Sequence, residues 1–222
     1  MTTWLARLTL DTSRTDVREE LRNAVAMHRR VMSLFPVMPA REEARKRLGV
    51  LHRVEQFGRQ AVLMVQSNRK AAPERLPNGY AVSSASRDID PLLEAVAFGR
   101  RLSYRCDANP IRRPGSTTRE LYKNLPPVVA LDGRHADDWW HRRAELAGLK
   151  IYTHHSQPLG AAVGWRGKGS GAQNVRHHRV RFEGTAEIVE PDALRTAMTE
   201  GIGKGKAYGC GLLTIAPLRT EE

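Results

Sequence analysis

Apolar and polar residues alternate at the start of the chain. Trp4, Ala6 and Leu8 fall on one face of an extended segment, and the residues between them fall on the other. A period of two is typical of a β-strand with one buried face. We therefore predict a strand over residues 3–10.

Apolar residues then recur at the spacing of an α-helix. They extend from Leu21 to Phe35, and His28 lies on the same face. Pro36 is expected to end this helix, because proline lacks the N–H that a helix interior requires. Asn23 is predicted to cap the main segment, since a short amide side chain can accept from the first free backbone N–H groups.

The remainder of the first half contains two further clear strands. Periodicity predicts strands over 48–55 and 60–67, separated by a turn that contains Gly58. Charged residues fill 41–47, which is interpreted as a linker. Residues 68–91 are rich in proline, serine and asparagine, and they are predicted to be loop or weak structure.

The second half begins near Gly99 with a similar order of elements. The patterns predict, in sequence, a strand over 101–107, a helix over 136–147, strands over 149–154 and 175–189, a short helix that begins at Pro191, and a strand over 211–216. The basic segment 112–127 is predicted to be irregular, and the glycine-rich segment 160–174 to be flexible.

Each half therefore has the order strand, helix, strand, strand, helix, strand, although the later elements of the first half are weakly marked. This order is that of a ferredoxin-like unit, which RNA-recognition modules also use. The predicted fold class is α+β, with two tandem ferredoxin-like domains over 1–94 and 95–222. The second domain would hold a basic hairpin and a glycine-rich loop.

The charge of the chain indicates what kind of partner it binds. The 222 residues are 41% hydrophobic, enough for an ordinary core, but 36 Lys and Arg face 24 Asp and Glu, a formal net charge of +12. Phosphates gain Coulomb attraction and counterion release from such a surface. Nucleic acid is favoured over a membrane surface, because no amphipathic helix with one basic face stands out.

Cysteine usage and hydropathy indicate the compartment. The two cysteines, Cys106 and Cys210, form no paired motif, which argues against a disulfide framework and a thiolate metal site. No signal peptide pattern follows Met1, and no apolar run approaches the ~20 residues that span a bilayer. We expect a soluble cytoplasmic protein.

The most specific local pattern is a glycine-rich loop over 201–213. Its five spaced glycines let the backbone approach another backbone closely, with two lysines between them. The spacing is not that of a nucleotide-binding P-loop. Either the loop contacts RNA or phosphate, or it is a turn that needs glycine to pack. The candidate residues are Gly203, Lys204, Gly205, Lys206 and Tyr208.

His28 is the candidate proton-transfer residue. A lone histidine on an apolar helix face is more often structural, but His28 precedes two arginines in a strongly basic chain. Imidazole exchanges a proton near neutral pH, which cleavage of RNA by its own 2′-hydroxyl requires. Both interpretations stay open from the residues alone.

Metal chemistry has little support. The histidine pairs at 154–155 and 177–178 consist of strand neighbours that point to opposite faces, and no H-E-x-x-H occurs. Asp137 and Asp138 are interpreted as the N-terminal cap of a helix. No metal and no cofactor is expected. Metal-free acid–base cleavage of a phosphodiester would restrict the substrate to RNA, because DNA has no 2′-hydroxyl.

Further basic residues lie in segments with turn character. They could contact phosphates along a groove of duplex RNA, or they could belong to solvated, disordered loops. The candidates for phosphate contact are Arg29, Arg112, Arg113, Arg166, Lys168, Arg176, Arg179 and Arg181.

Four of these segments together resemble the CasE family, the RNA-processing subunit of the type I-E Cascade complex within the RAMP group. The similarity extends along the whole chain. It rests on the strand Trp4-Leu5-Ala6-Arg7-Leu8, the helix from Met27-His28-Arg29 to Leu34-Phe35-Pro36, the Asn109-Pro110 turn and the terminal glycine-rich loop.

The resemblance implies two ferredoxin-like domains that bind the CRISPR repeat stem-loop and cut at its base without metal, leaving a 2′,3′-cyclic phosphate. It implies that His28 acts as acid or base. We expect Lys204 and Lys206 to be catalytic as well, since they would approach the scissile phosphate or the strand beside it and stabilise its charge. The family often has a tyrosine three residues before this histidine, where this chain has Val25. Other Cascade subunits are implied partners.

Other functions remain as alternatives. The first is a non-catalytic RNA-hairpin-binding module of the same fold, which the valine at position 25 favours. The others are a structural protein of a ribonucleoprotein and a phosphate-binding metabolic enzyme, although the chain shows no cofactor fingerprint.

Overall fold

The computed structural model describes residues 2–38, 43–122, 124–167 and 171–218. Two four-stranded antiparallel sheets form its framework. The strands of the first sheet lie within residues 4–88, and those of the second lie within 101–217. The proposed boundary near residue 94 lies between these ranges and stays a prediction.

The first sheet has the strand order β2-β3-β1-β4, which is the order of a ferredoxin-like unit. Its elements are β1 (Trp4–Leu10), α1 (Thr15–Arg22), α2 (Ala24–Ser33), α3 (Ala44–Arg47), β2 (Leu51–Phe57), β3 (Gln60–Ser67), β4 (Ala81–Asp88) and α4 (Asp90–Glu94).

Alternation in β1 produces the first core. Leu8 is fully buried against apolar residues of the two helices, among them Val17 and Val31. Asn23 caps α2 as predicted, because its side-chain oxygen accepts from the backbone N–H groups of Val25 and Ala26 at 3.1 Å. The cap sets where α2 begins and thus the position of every residue along it.

Two segments of this half are more ordered than predicted. The stretch 68–91 contains β4, which pairs with β1 at the edge of the sheet. Most β4 side chains are exposed, so the strand shows no apolar alternation. The charged stretch 41–47, predicted to be a linker, contains the short helix α3.

The second sheet has the order β10-β5-β9-β8, again the ferredoxin-like order, which confirms the predicted α+β class. Its half of the chain contains β5 (Arg101–Ala108), β6 (Ile111–Arg112), α5 (Ser116–Leu121), β7 (Val129–Ala130), α6 (Gly133–Leu146), β8 (Leu149–Arg166), β9 (Gln173–Ile188), α7 (Pro191–Glu200) and β10 (Leu213–Pro217).

Three predictions in this half are wrong. The segment 112–127, predicted to be irregular, contains the short helix α5. Strand β8 continues through residues 155–166 into the segment expected to be flexible, and it forms a long hairpin with β9. Helix α6 begins at Gly133, so Asp137 and Asp138 lie inside the helix and do not cap it. Asp137 instead lies 3.1 Å from the Nε2 atom of His154.

Buried polar contacts hold the two sheets together. Arg53 of β2 is 3% exposed and forms an ion pair with Glu55 at 2.6 Å. Its guanidinium also donates to the Leu212 carbonyl and to the Thr214 hydroxyl, each at 3.1 Å. A buried charge with this many partners fixes one arrangement of the sheets, because any shift leaves it unsatisfied.

We expect Arg53→Met to lower the free energy of unfolding by about 3 kcal/mol, because the change removes one member of a buried ion pair. Urea unfolding of the whole chain measures this loss. Arg142→Met is the matched control: Arg142 is exposed on α6, and the change should stay within about 0.5 kcal/mol. Equal stabilities for the two variants would contradict the role given to Arg53.

Candidate active site

A cleft of about 600 Å³ lies between α2, α3, the end of β8 and the glycine-rich loop. Four residues predicted from the sequence line it: His28, Arg29, Arg166 and Tyr208. Both halves of the chain thus contribute to one site. Its other lining residues are Val25, Met32, Glu43, Ala44, Arg45, Lys46 and Ala207.

His28 is poised to accept a proton. Burial lowers the pKa of its imidazole below the usual 6.5, and the positive charges of Arg45, Arg166 and Arg29 lower this pKa further. Its Nδ1 atom is buried and has no hydrogen-bond partner among the described residues. His28 is therefore neutral at pH 7, the form that a general base requires.

Tyr208 contacts two imidazoles. Its ring meets His28 edge-on, with centroids 6.0 Å apart, and it stacks on His177 at 5.1 Å. The buried Asn109 lies with its amide nitrogen 2.9 Å from Nδ1 of His177. As a donor, this amide places the proton of the neutral ring on Nε2. No role was assigned to His177 from the sequence, since a strand histidine among arginines has no distinctive spacing.

The glycines of the loop are needed for its packing. Gly203 and Gly205 have φ angles of +75° and +82°. A Cβ atom at Gly203 would lie 3.2 Å from the Trp139 ring, and one at Gly205 would lie 3.3 Å from the Cys210 sulfur. These positions support the packing interpretation, and RNA contact by the two glycines stays a prediction.

The two lysines of the loop differ in environment. Lys204 is exposed, and its backbone forms an isolated β-bridge with Asn109. Lys206 is partly buried, and burial followed by the charge of Arg45 lowers its pKa. Neither lysine lines the cleft, although Ala207 and Tyr208, which follow Lys206 in the loop, do.

Arg181, predicted from the sequence to contact phosphate, forms an ion pair within the protein. Two of its guanidinium nitrogens donate to the carboxylate of Asp107 at 2.7 and 2.9 Å, and Asp107 is 1% exposed. Arg181 is thus committed to neutralising a buried charge. If Arg181 bound a ligand instead, the buried carboxylate of Asp107 would lose its ion-pair partner.

The other predicted arginines lie outside the cleft. Arg179 donates from Nε to the Gly160 carbonyl at 2.7 Å, which ties β9 to β8. Arg176 is exposed on the face of β9 opposite His177, since strand neighbours alternate. Arg112 and Arg113 are exposed at and after β6, and Lys168 lies outside the described residues.

Val25, which occupies the position of the family tyrosine, is a packing residue. It is 5% exposed on α2 and faces Gly164 of β8. A Cβ atom at Gly164 would lie 2.6 Å from the Asn23 side-chain oxygen and 2.9 Å from a Val25 methyl. The β8–β9 hairpin therefore reaches the start of α2 only because residue 164 is glycine.

Two further site residues, besides His177, were missed from the sequence. Arg45 of α3 lines the cleft and donates from Nη1 to the Val50 carbonyl at 3.1 Å. His52 of β2 is 2% exposed, and burial followed by the charge of His28 lowers its pKa to about 3. Arg45 was hidden in a run of charges, and His52 in a strand of mixed pattern.

The charges of the cleft suit a polyanion. Arg29, Arg45, Lys46 and Arg166 line it, and Glu43 is the acidic residue there. Within the described ranges, no group of three or more His, Cys, Asp and Glu residues is placed to hold a metal ion. No helix in the part of the chain that the structure describes is long and apolar enough to cross a membrane.

Known proteins resemble this chain over its length. A family model described as CRISPR associated protein matches residues 3–217. The CRISPR-associated endoribonuclease Cse3 of Thermus thermophilus is 30% identical over 224 residues, which cover 96% of this chain and 100% of the relative.

Solved structures of CRISPR proteins also match this chain over nearly its whole length. Thermus thermophilus Cse3 bound to an RNA representing a pre-cleavage complex matches with a TM-score of 0.76 and 27% identity, covering 98% of this chain and 100% of that one. A chain of a CRISPR RNA-guided surveillance complex matches with a TM-score of 0.64 and 30% identity, covering 97% and 100%.

The buried His52 should make stability depend on pH. Its folded pKa of about 3 lies below the usual 6.5, so the unfolded chain binds more protons below pH 6.5. The stability that comes from keeping His52 neutral is therefore fully present above pH 6.5 and is lost as the pH falls toward 3. Between about pH 7.5 and pH 5, the free energy of unfolding should fall by about 2 kcal/mol less in His52→Gln than in the parent protein. Urea unfolding at the two pH values measures this difference.

The control for this experiment is His135→Gln, whose side chain is exposed on α6. It should keep the pH dependence of the parent protein. If His52→Gln also keeps it, His52 does not remain neutral in the folded state.

Proposed function

The chain belongs to the family of CRISPR associated proteins, and from this premise we propose that it is an endoribonuclease that cuts the repeat hairpins of CRISPR RNA precursors. The observation that carries the proposal is a neutral histidine in a cationic cleft, in a chain that matches the endoribonuclease Cse3 over its whole length.

Its partners are the repeat RNA hairpin and other subunits of a Cascade complex. Support comes from the matched Cse3 bound to RNA and from the matched chain of a surveillance complex. Once cut, the hairpin would stay bound, so that the protein remains attached to the mature CRISPR RNA as a subunit. The proposed compartment is the cytoplasm, where the free thiols of Cys106 and Cys210 would stay reduced.

The proposed chemistry uses the RNA itself as nucleophile. Neutral His28 accepts the proton of the 2′-hydroxyl, and the 2′-oxygen forms a bond to phosphorus while the bond to the 5′-oxygen breaks. His28 then returns the proton to the leaving 5′-oxygen. The products are a 2′,3′-cyclic phosphate and a free 5′-hydroxyl, and the step needs no metal ion.

The remaining predicted residues are proposed to hold RNA. Arg29 and Arg166 line the cleft and would contact phosphates beside the cut, with Tyr208 as a surface for a base or sugar. Lys206 would approach the scissile phosphate and Lys204 the strand next to it. The stem would lie along the β8–β9 hairpin and the nearby basic surface, in contact with Arg112, Arg113, Lys168, Arg176 and Arg179.

The second candidate function is binding of the hairpin without cleavage. The observation in its favour is Val25, which packs against Gly164 and has no group to donate to a phosphate. The two candidates differ in one measurable property, which is whether the bound RNA is cut.

We expect the purified protein to cut its own repeat RNA in EDTA but to leave intact a copy with a 2′-deoxy nucleotide at the cut site. Single-turnover cleavage on a gel measures this. The rate should fall as the pH drops through a value below 6.5, because protonated His28 cannot accept a proton. Tight binding without cleavage, in EDTA or in magnesium, would establish the non-catalytic alternative.

His28→Gln should slow cleavage by about 10²- to 10⁴-fold, the usual effect of losing a general base, and leave hairpin affinity nearly unchanged. His135→Gln is the matched control, since that side chain is exposed on α6 away from the cleft. Full cleavage by the His28 variant would remove this residue from the mechanism.

A further inference from the structure

Arg45 occupies an unusual position for a residue in a surface charge run. The four-residue helix α3 places it in the wall of the cleft that His28 also lines. A hydrogen bond from its Nη1 atom to the Val50 carbonyl, 3.1 Å long, holds the guanidinium in place. Arg45 is thus fixed before any ligand arrives, which lowers the entropic cost of binding.

The guanidinium of Arg45 differs from its neighbouring cation in how its charge is balanced. No carboxylate lies within ion-pair distance of it among the residues that the structure describes, whereas the adjacent Lys46 pairs with Glu43 at 3.4 Å. A guanidinium has five N–H donors, and the bond to Val50 uses one of them. Arg45 therefore keeps free donors in a fork that fits two oxygens of one phosphate.

Arg45 also differs from the other cations of the cleft in its burial. Arg29, Lys46 and Arg166 are exposed, while Arg45 is partly buried. Water screens an exposed charge, so a partly buried cation stabilises a nearby anion more strongly.

The electric field of Arg45 acts on the groups around the cleft. Its charge lowers the pKa of His28, and it does so more than any other arginine. It also lowers the pKa values of His52 and Lys206. These effects agree with the geometry, in which Arg45 and His28 line the same cleft.

The cleavage step creates the charge that such a residue would stabilise. When the 2′-oxygen attacks, negative charge grows on the non-bridging oxygens of the phosphate. A fixed donor pair aimed at those oxygens binds the transition state more tightly than the substrate.

We propose that Arg45 is a catalytic residue, which binds the non-bridging oxygens of the scissile phosphate and stabilises their charge in the transition state. The proposal rests on the proposed function, since it concerns the same cleavage. It assigns the stabilising role to a residue of the N-terminal half, in addition to the lysines of the glycine-rich loop.

The test uses the full chain and its repeat hairpin. Single-turnover rates are measured for the parent protein, Arg45→Gln, Arg45→Lys and the control Arg142→Gln, an exposed arginine on α6. Affinity is measured separately with the uncleavable 2′-deoxy hairpin. Thermal melting of each variant shows whether it folds, and Arg45→Lys keeps the charge if the glutamine variant does not fold.

Arg45→Gln should slow cleavage by about 100-fold, the usual effect of losing one preorganised donor to a developing anion. Affinity for the 2′-deoxy hairpin should change by less than about fivefold, which corresponds to about 1 kcal/mol. Arg45→Lys should lie between the parent and the glutamine variant, because it keeps the charge and loses the fork. Arg142→Gln should match the parent.

Two further readouts separate catalysis from a structural role. The acidic limb of the pH–rate profile should move to higher pH in Arg45→Gln, because the charge that lowers the pKa of His28 is gone. Added guanidinium ion should restore part of the rate of Arg45→Gln. A variant that is slow but has an unchanged pH limb and no rescue would overturn the proposal in favour of a structural role.

Failure of this inference differs from failure of the proposed function. If the parent protein cuts RNA and Arg45→Gln cuts it equally fast, only the role of Arg45 is overturned. If the parent protein binds the hairpin and never cuts it, both are overturned. A loss that appears wholly in affinity would make Arg45 an RNA-binding residue and not a catalytic one.

Discussion

The cleft exists only while the two sheets keep one relative position, and the buried guanidinium of Arg53 is the contact on which that position depends. Arg53 belongs to β2, but its hydrogen-bond acceptors Leu212 and Thr214 lie at the other end of the chain. The Gln66 side chain adds a second tie, since it donates to the Met198 carbonyl at 2.6 Å. Side chains from distant parts of the sequence can therefore act together.

One set of charges serves both recognition and chemistry. The arginines that line the cleft give it a charge that suits phosphates, and the same charge adds to the effect of burial in lowering the pKa of the His28 imidazole. A histidine in an acidic cleft would be charged at pH 7 and unable to take a proton. The basic composition of the chain thus bears on the reaction as well as on affinity.

Local sequence patterns correctly predicted those parts of the structure whose conformation depends mainly on residues close together in sequence. The alternation in β1, the cap at Asn23 and the glycines of the terminal loop are such cases. Strand β8 was cut short in the prediction because Pro158 and Gly160 usually interrupt a strand. Since β8 lies at the edge of its sheet, it tolerates both residues and the register shifts beside them.

The site was predictable only in part for the same reason. His28 and Tyr208 stood out by their neighbours and by family resemblance, whereas Arg45, His52 and His177 matter because of what the fold brings next to them. Arg181 shows the opposite case. Its place in a basic segment suggested RNA, but the fold pairs it with Asp107, which lies 74 residues away in sequence.

Because Arg53 of β2 donates to Leu212 and Thr214, this contact between the two sheets can form only late in synthesis. His28 and Tyr208 are 180 positions apart, so about 10–40 s of translation separates them. Through this interval the N-terminal half presents Arg53 without its later acceptors. A charged side chain keeps that unfinished surface hydrated and discourages wrong associations. The ribosome-bound chain therefore carries His28 long before Tyr208 exists, and the cleft that both residues line can form only after the C-terminal strands have left the ribosome.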